Sequence, residues 1–173
     1  LDSLDVNISD LDRILVTHEH LDHIKGLSVI SKKYHIPVYI NEETFNNLGF
    51  DTSIIDKKYF VNNENFSIKD LLIHPFSIPH DAANPCGFSI SNGTNKISIA
   101  TDIGHMNNSI IDNLAGSSFI LLESNYETEL LKYSRYPYSL KKRILGPNGH
   151  LSNEDAGKTI SVLAKNGVSN IAL

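Results

Sequence analysis

Apolar and polar positions along this chain switch between two periods, and the switches predict its elements. Residues 13–17 are a short run with β-branched members and predict a buried strand that ends at a histidine cluster. Ile24, Leu27, Ile30 and Tyr34 then recur at helical spacing, which predicts a helix over 22–34 stopped by Pro37. Residues 38–40 predict a strand, and 42–48 a short helix ended by Gly49. The stretch 51–69 is polar and irregular, with Asn62-Asn63-Glu64-Asn65 inside it, and reads as an exposed loop or ribbon. Residues 71–78 predict a strand that runs into Pro79-His80. Residues 87–91 and 96–101 predict a hairpin about Asn92-Gly93, a strong turn signal. Residues 119–123 predict another buried strand. Ser152-x-x-Asp155 opens a helix over 152–166 that Gly167 closes, and 168–173 begin a further strand. This alternation predicts an α/β (α+β) fold of sheets covered by helices, in a single domain over 1–173.

Composition narrows the class. The chain has 173 residues, 40% hydrophobic and 20% charged, which suits a soluble globular domain with a real core. No apolar run approaches the ~20 residues that span a bilayer. A single cysteine, Cys86, excludes an internal disulfide framework, reads as core, and suggests a cytoplasmic setting. The formal net charge of −5 excludes nucleic-acid affinity built on a global positive field. Any phosphate ligand has to be held by local charge and by metal. The chain opens on Leu1 and closes inside a predicted strand, so truncation at both ends is expected.

The chemistry concentrates in Thr17-His18-Glu19-His20-Leu21-Asp22-His23, where a strand ends and a helix begins. Imidazole and carboxylate donors suit Zn²⁺, and also Mn²⁺ or Fe. His18 and His20, one residue apart, can share one ion when the backbone turns, and Asp22 and His23 can face a second. Two ions ~3.5–4 Å apart share a hydroxide and clamp a substrate oxygen. The plainer alternative is a polar turn in which Asp22 caps the following helix.

H-x-H-x-D-H resembles the signature of the metallo-β-lactamase superfamily. His80 in Pro79-His80-Asp81-Ala82 resembles that family's third ligand position, and Asp102 in Ala100-Thr101-Asp102-Ile103-Gly104 its bridging carboxylate. Three further strings resemble the YycJ/WalJ-like branch, regarded as DNA-processing exonucleases acting from 5′ ends. They are residues 76–83 followed by Pro85-x-Gly87-Phe88, then Leu121-Leu122-Glu123-Ser124-Asn125-Tyr126, and Gly146-x-x-Gly149-His150-Leu151-Ser152-Asn153. The resemblance implies a partial αββα sandwich and two divalent ions. His18, His20 and His80 would hold one ion, Asp22 and His23 the other, and Asp102 would bridge them. A hydroxide activated by both ions and steered by Asp22 would attack phosphorus, and His150 would assist the leaving oxygen. The family carries a further ligand His on the strand that begins at 168, so that ligand is expected beyond Leu173. Alternatives are a thioester or lactone hydrolase with the same ligands, or a non-catalytic fragment.

Other residues carry open readings. Glu123 is a candidate to orient His150 by a hydrogen bond. A phosphate is expected near the start of the helix that follows His150. In the basic run Lys141-Lys142-Arg143, Lys141 and Arg143 are candidates for phosphate-backbone contact, or part of a solvated face. Tyr136, between Tyr133 and Tyr138, either stacks on a base or packs the rim of the site. DNA is the favoured substrate, and the oligomeric state is left open.

Overall fold

The computed structural model describes residues 6–53 and 55–173; the opening polar stretch at 1–5 and Ile54 lie outside the described residues. Two compact units result, residues up to 61 with 82–84, and residues 62–81 with 85–173.

In the first unit β1 (Ile14–Leu15), β2 (Val38–Ile40) and β3 (Lys57–Tyr59) pair in parallel in that order. Parallel neighbours need a crossover, and helices supply it. The first is α1 (Leu21–Ile24) with α2 (Leu27–Tyr34), the second α3 (Glu42–Asn46). Val16, Ile24, Leu27, Val38, Ile40 and Phe45 are buried together as the core. The single helix expected over 22–34 is two, because Gly26 interrupts it and caps the second piece. Glycine loses more backbone freedom in a helix than any other residue. β3 corrects part of the expected loop at 51–69: its three side chains are exposed, and only pairing with β2 makes it a strand.

The second unit is one six-stranded sheet in sequence order. Its strands are β4 (Phe66–Ile68), β5 (Leu71–Ser77), β6 (Cys86–Ser91), β7 (Lys96–Ala100), β8 (Phe119–Leu122) and β9 (Ile171–Ala172). β4 is the other correction to the 51–69 loop. It is recruited by antiparallel pairing with β5 around Lys69, whose φ of 53° is left-handed. The expected hairpin about Asn92-Gly93 joins β6 to β7, with Gly93 at φ 85° and the Asn92 carboxamide oxygen accepting from the Thr94 and Asn95 amides. β5–β6 and β6–β7 are antiparallel, while β7–β8 and β8–β9 are parallel. β5, β7 and β8 therefore run the same way, and the loops that follow them leave one edge of the sheet.

Four helices complete this unit: α4 (Asn108–Leu114), α5 (Thr128–Tyr133), α6 (Tyr138–Ile144) and α7 (Asn153–Lys165). The first three were not expected, being only six or seven residues long. α7 was expected, and Ser152 caps it by accepting the Asp155 amide at 3.1 Å. Phe76, Ile103, Ile110, Leu114, Leu122 and Leu163 are buried in one core. Each such side chain contributes about 1.5–3 kcal/mol by leaving water. Cys86 is fully buried in β6, and burial pushes its thiol up, as a core role requires.

One stability prediction arises here. Gly157 is exposed inside α7, and a Cβ there meets nothing within 4 Å. Gly157→Ala is expected to stabilise the protein by about 0.5–1 kcal/mol through helix propensity alone. A urea melt checks this, and a lowered midpoint would contradict the open space around Gly157.

Candidate metal and catalytic site

In the second unit, His80, Asp102 and Glu123 follow β5, β7 and β8, and His150 precedes α7. His80 is 5% exposed and Glu123 7%. One ligand atom from each of His80, Asp102 and His150 lies within 4.8 Å of the others. Nitrogen and carboxylate donors at this spacing fit a divalent ion of the zinc or manganese kind. The His80 ring fits that role for a second reason. Its Nδ1 donates to the Gly149 carbonyl at 3.0 Å, which leaves Nε2 with the lone pair. Ligating histidines are commonly oriented in this way.

Glu123 is the organising group. One carboxylate oxygen, Oε1, accepts from His150 Nδ1 at 2.6 Å. The other, Oε2, accepts from the Ile103 amide at 2.6 Å and the Leu151 amide at 3.0 Å. One buried side chain thus ties together the loop after β7, the end of β8 and the turn before α7. The pairing expected between Glu123 and His150 is present. It keeps a proton on Nδ1 and holds the ring, so Nε2 is the nitrogen at which a proton is gained and given up.

The two imidazoles sit 5.2 Å apart, ring centre to ring centre. Their surroundings push them in opposite directions. Burial holds His80 below the ordinary histidine range, against the pull of the Gly149 carbonyl and of Asp102 and Asp81. The Glu123 hydrogen bond raises His150, supported by the charges of Glu123, Asp102 and Asp81. Burial thus favours the neutral form of His80 and Glu123 the charged form of His150, a split typical of acid–base pairs.

Asp102 stands at φ 58°, in the left-handed region. Aspartate tolerates that region better than most residues, at a cost of roughly 1 kcal/mol. The loops are stitched further: the Gly104 amide donates to the Pro79 carbonyl at 2.7 Å and the His150 amide to the Ile144 carbonyl at 3.0 Å. His105 is bonded to the Pro147 carbonyl through Nδ1 at 2.8 Å and serves as a clip.

In the first unit, His18, His20 and His23 are neighbours. The His18 ring centre lies 4.6 Å from that of His20 and 4.1 Å from that of His23. His18 is 1% exposed, and its Nδ1 is 3.1 Å from the Thr17 hydroxyl. Asp22 is exposed and lies 3.6 Å from His23 Nε2. It does not cap the helix: His20 holds the cap position of α1, and no side-chain cap bond forms there. The plainer reading of Asp22 is corrected. Glu19, which carried no expectation, accepts the Ala83 amide at 2.7 Å. Its position between two ligand candidates was the available signal.

The three candidate substrate contacts lie on α6 or just before it. Lys141 Nζ donates to the carbonyls of Lys132 and Ser134, at 2.6 and 2.7 Å, and so ties the end of α5 to α6. Arg143 forms a two-pronged pair with Asp81, Nε at 2.5 Å and Nη2 at 3.1 Å. Tyr136 is 56% exposed. The expected phosphate site at the start of α7 is disfavoured, because Glu154 and Asp155 already place negative charge in its first turn.

Residues 4–169 match the family described as the beta-lactamase superfamily domain. The chain is 37% identical over 172 residues to an exodeoxyribonuclease YycJ of Bacillus anthracis, covering 98% of this chain and 65% of that protein. It is 33% identical over 158 residues to an exodeoxyribonuclease WalJ of Streptococcus pneumoniae, covering 87% of this chain and 58% of that protein. It thus spans less than two thirds of the length of either relative. Among solved structures, the metallo-beta-lactamase fold protein YhfI of Bacillus subtilis superposes with a TM-score of 0.69 at 16% identity, over 98% of this chain and 66% of that one.

Proposed function

The chain belongs to the beta-lactamase superfamily and has the metallo-β-lactamase fold, and from that premise we propose that it is a metal-dependent phosphodiesterase, a DNA exonuclease acting from 5′ ends. The observation that carries the reading is the pairing of a metal-suited donor set, His80 and Asp102, with a histidine held by a buried carboxylate.

As the resemblance implies, His18, His20 and His80 would hold one divalent ion, Asp22 and His23 a second, and Asp102 would serve both. Support for joining these residues comes from their order along the sequence, which resembles the family pattern. Divalent ions, when bound, polarise a phosphoryl oxygen and make water a nucleophile near neutral pH. The protein's own groups do the rest. His150 delivers a proton from Nε2 to the departing oxygen, and Glu123 holds the ring in place and stabilises its charged form. Asp22 orients the attacking water. The hydrogen-bonded loops keep these groups in position before substrate arrives, which lowers the reorganisation needed at the transition state.

The substrate class rests on similarity to the two exodeoxyribonucleases. Among the described residues no helix is long and apolar enough to cross a membrane. The lone buried Cys86 fits the reducing cytoplasm as the place of work.

Elemental analysis of the full-length protein tests the metal assignment, with about two divalent ions per chain expected for a dinuclear site. His80→Ala and Asp102→Ala are each expected to lose at least one ion and nearly all cleavage of a 5′-phosphorylated DNA strand. A full-length protein without divalent ions would overturn the reading. One that holds metal and cleaves thioesters or lactones but no phosphodiester would move it to another substrate class.

A further inference from the structure

Helices α5 and α6 enclose a groove of about 400 Å³ lined by Lys132, Tyr138, Lys141, Lys142 and Leu145. Three of its five lining residues are lysines, in a chain of net charge −5. Lys132 is 2.6 Å from Glu129, which offsets part of its charge. Lys141 is fixed by the two carbonyls at the end of α5. The Lys142 side chain is exposed and makes no hydrogen bond or ion pair among the described residues. Beside these charges stand tyrosines with no packing role: Tyr133 is 85% exposed and Tyr138 80%. Large aromatic rings left in water beside lysines, with Leu145 also 43% exposed, form a surface suited to a stacked base and its phosphate.

The groove is coupled to the candidate site within the same unit. α6 ends at Ile144, whose carbonyl accepts the His150 amide at 3.0 Å. Gly149 lies directly against the carbonyls of Arg143 and Ile144. A strand held on α6 is therefore held on the element that positions His150.

We infer that the α5–α6 groove is a binding site for single-stranded DNA, with Lys142 contacting a backbone phosphate and Tyr138 stacking on a base. This rests on the nuclease reading above and deepens it. It moves the substrate contact from Lys141, which ties α5 to α6, and Arg143, which pairs with Asp81, to Lys142 and Tyr138.

The test is fluorescence anisotropy of a labelled single-stranded oligonucleotide on the full-length protein, with chelator present so that no strand is cut. Tyr138→Ala and Lys142→Glu are each expected to weaken binding about tenfold, given what stacking and phosphate contacts contribute. Both side chains are exposed, so folding is spared. Lys165→Glu, the same charge change on α7, is expected to leave binding unchanged. The inference is overturned if the Tyr138 and Lys142 variants bind like the wild type, or if Lys165→Glu weakens binding as much. It is also overturned if polyglutamate competes as well as DNA at equal charge, which would point to an acidic protein segment instead. Absence of any binding by the wild type overturns it too. Metal-supported cleavage of a small phosphodiester separates that result from failure of the nuclease reading, since such cleavage does not need the groove.

Discussion

Glu123→Gln is expected to leave the protein folded and to lower phosphodiester cleavage by about a hundredfold, the scale seen when a partner that orients a catalytic or ligating histidine is lost. The reason is the direction of three hydrogen bonds. The Ile103 and Leu151 amides both donate to one carboxylate oxygen, so the glutamine oxygen has to occupy that position. Its amide NH₂ group then faces His150 Nδ1, where a carboxylate oxygen now accepts at 2.6 Å. Two donors cannot face each other, so the imidazole takes the other tautomer and places its proton on Nε2. A ring that is protonated with the help of Glu123 becomes a neutral one with no charge partner. Glu123→Ala differs in kind. It leaves three donors around a buried position without an acceptor and is expected to destabilise by about 3 kcal/mol or more. Steady-state kinetics beside a urea melt distinguishes the two variants. Unchanged turnover in Glu123→Gln would remove Glu123 and His150 from the mechanism.

Gly104→Ala is expected to destabilise the second unit by about 3 kcal/mol, at the upper end for overpacking, and to lower metal content with it. A Cβ on Gly104 would lie 2.1 Å from the Pro147 carbonyl oxygen and 2.6 Å from the Asn148 Cα. These are backbone atoms, so no rotamer change relieves the clash. Either the loop after β7 or the turn before His150 has to move. The first carries Asp102, and the second carries the Gly149 carbonyl that holds His80. Strain at Gly104 thus reaches both donors. Denaturation midpoint and metal content are expected to fall together. Loss of stability with metal binding intact would show that the contact supports the fold and not the site.

Several features were legible in the chain because they depend on near neighbours. The cluster from His18 to His23 is compact in sequence, so any backbone that turns there brings the rings together. The Asn92-Gly93 turn needs only a residue that accepts positive φ and a side chain that can bond its own loop. The Ser152 cap needs only Asp155 three residues on. His80, Asp102, Glu123 and His150 were readable for another reason: the strings around them resemble the family's motifs and come in the family's order.

Other features were decided by partners far along the chain. β3 and β4 are only three residues each, and they are strands because β2 and β5 offer them backbone partners. α4, α5 and α6 are too short for periodicity to show, and packing holds what propensity alone would not. Lys141 and Arg143 read as free cations in sequence, yet the first closes α5 against α6 and the second pairs with Asp81, 62 residues away. The capture of three donors by Glu123 depends on β7 and β8 lying parallel and in register, Ala100 opposite Leu122. Sequence by itself determined the kinds of candidate ligand and their order, because these are local choices of residue. Only the tertiary structure decided which carboxylate orients which histidine and which lysine stays free, because a hydrogen bond has a partner and a direction that strand register sets.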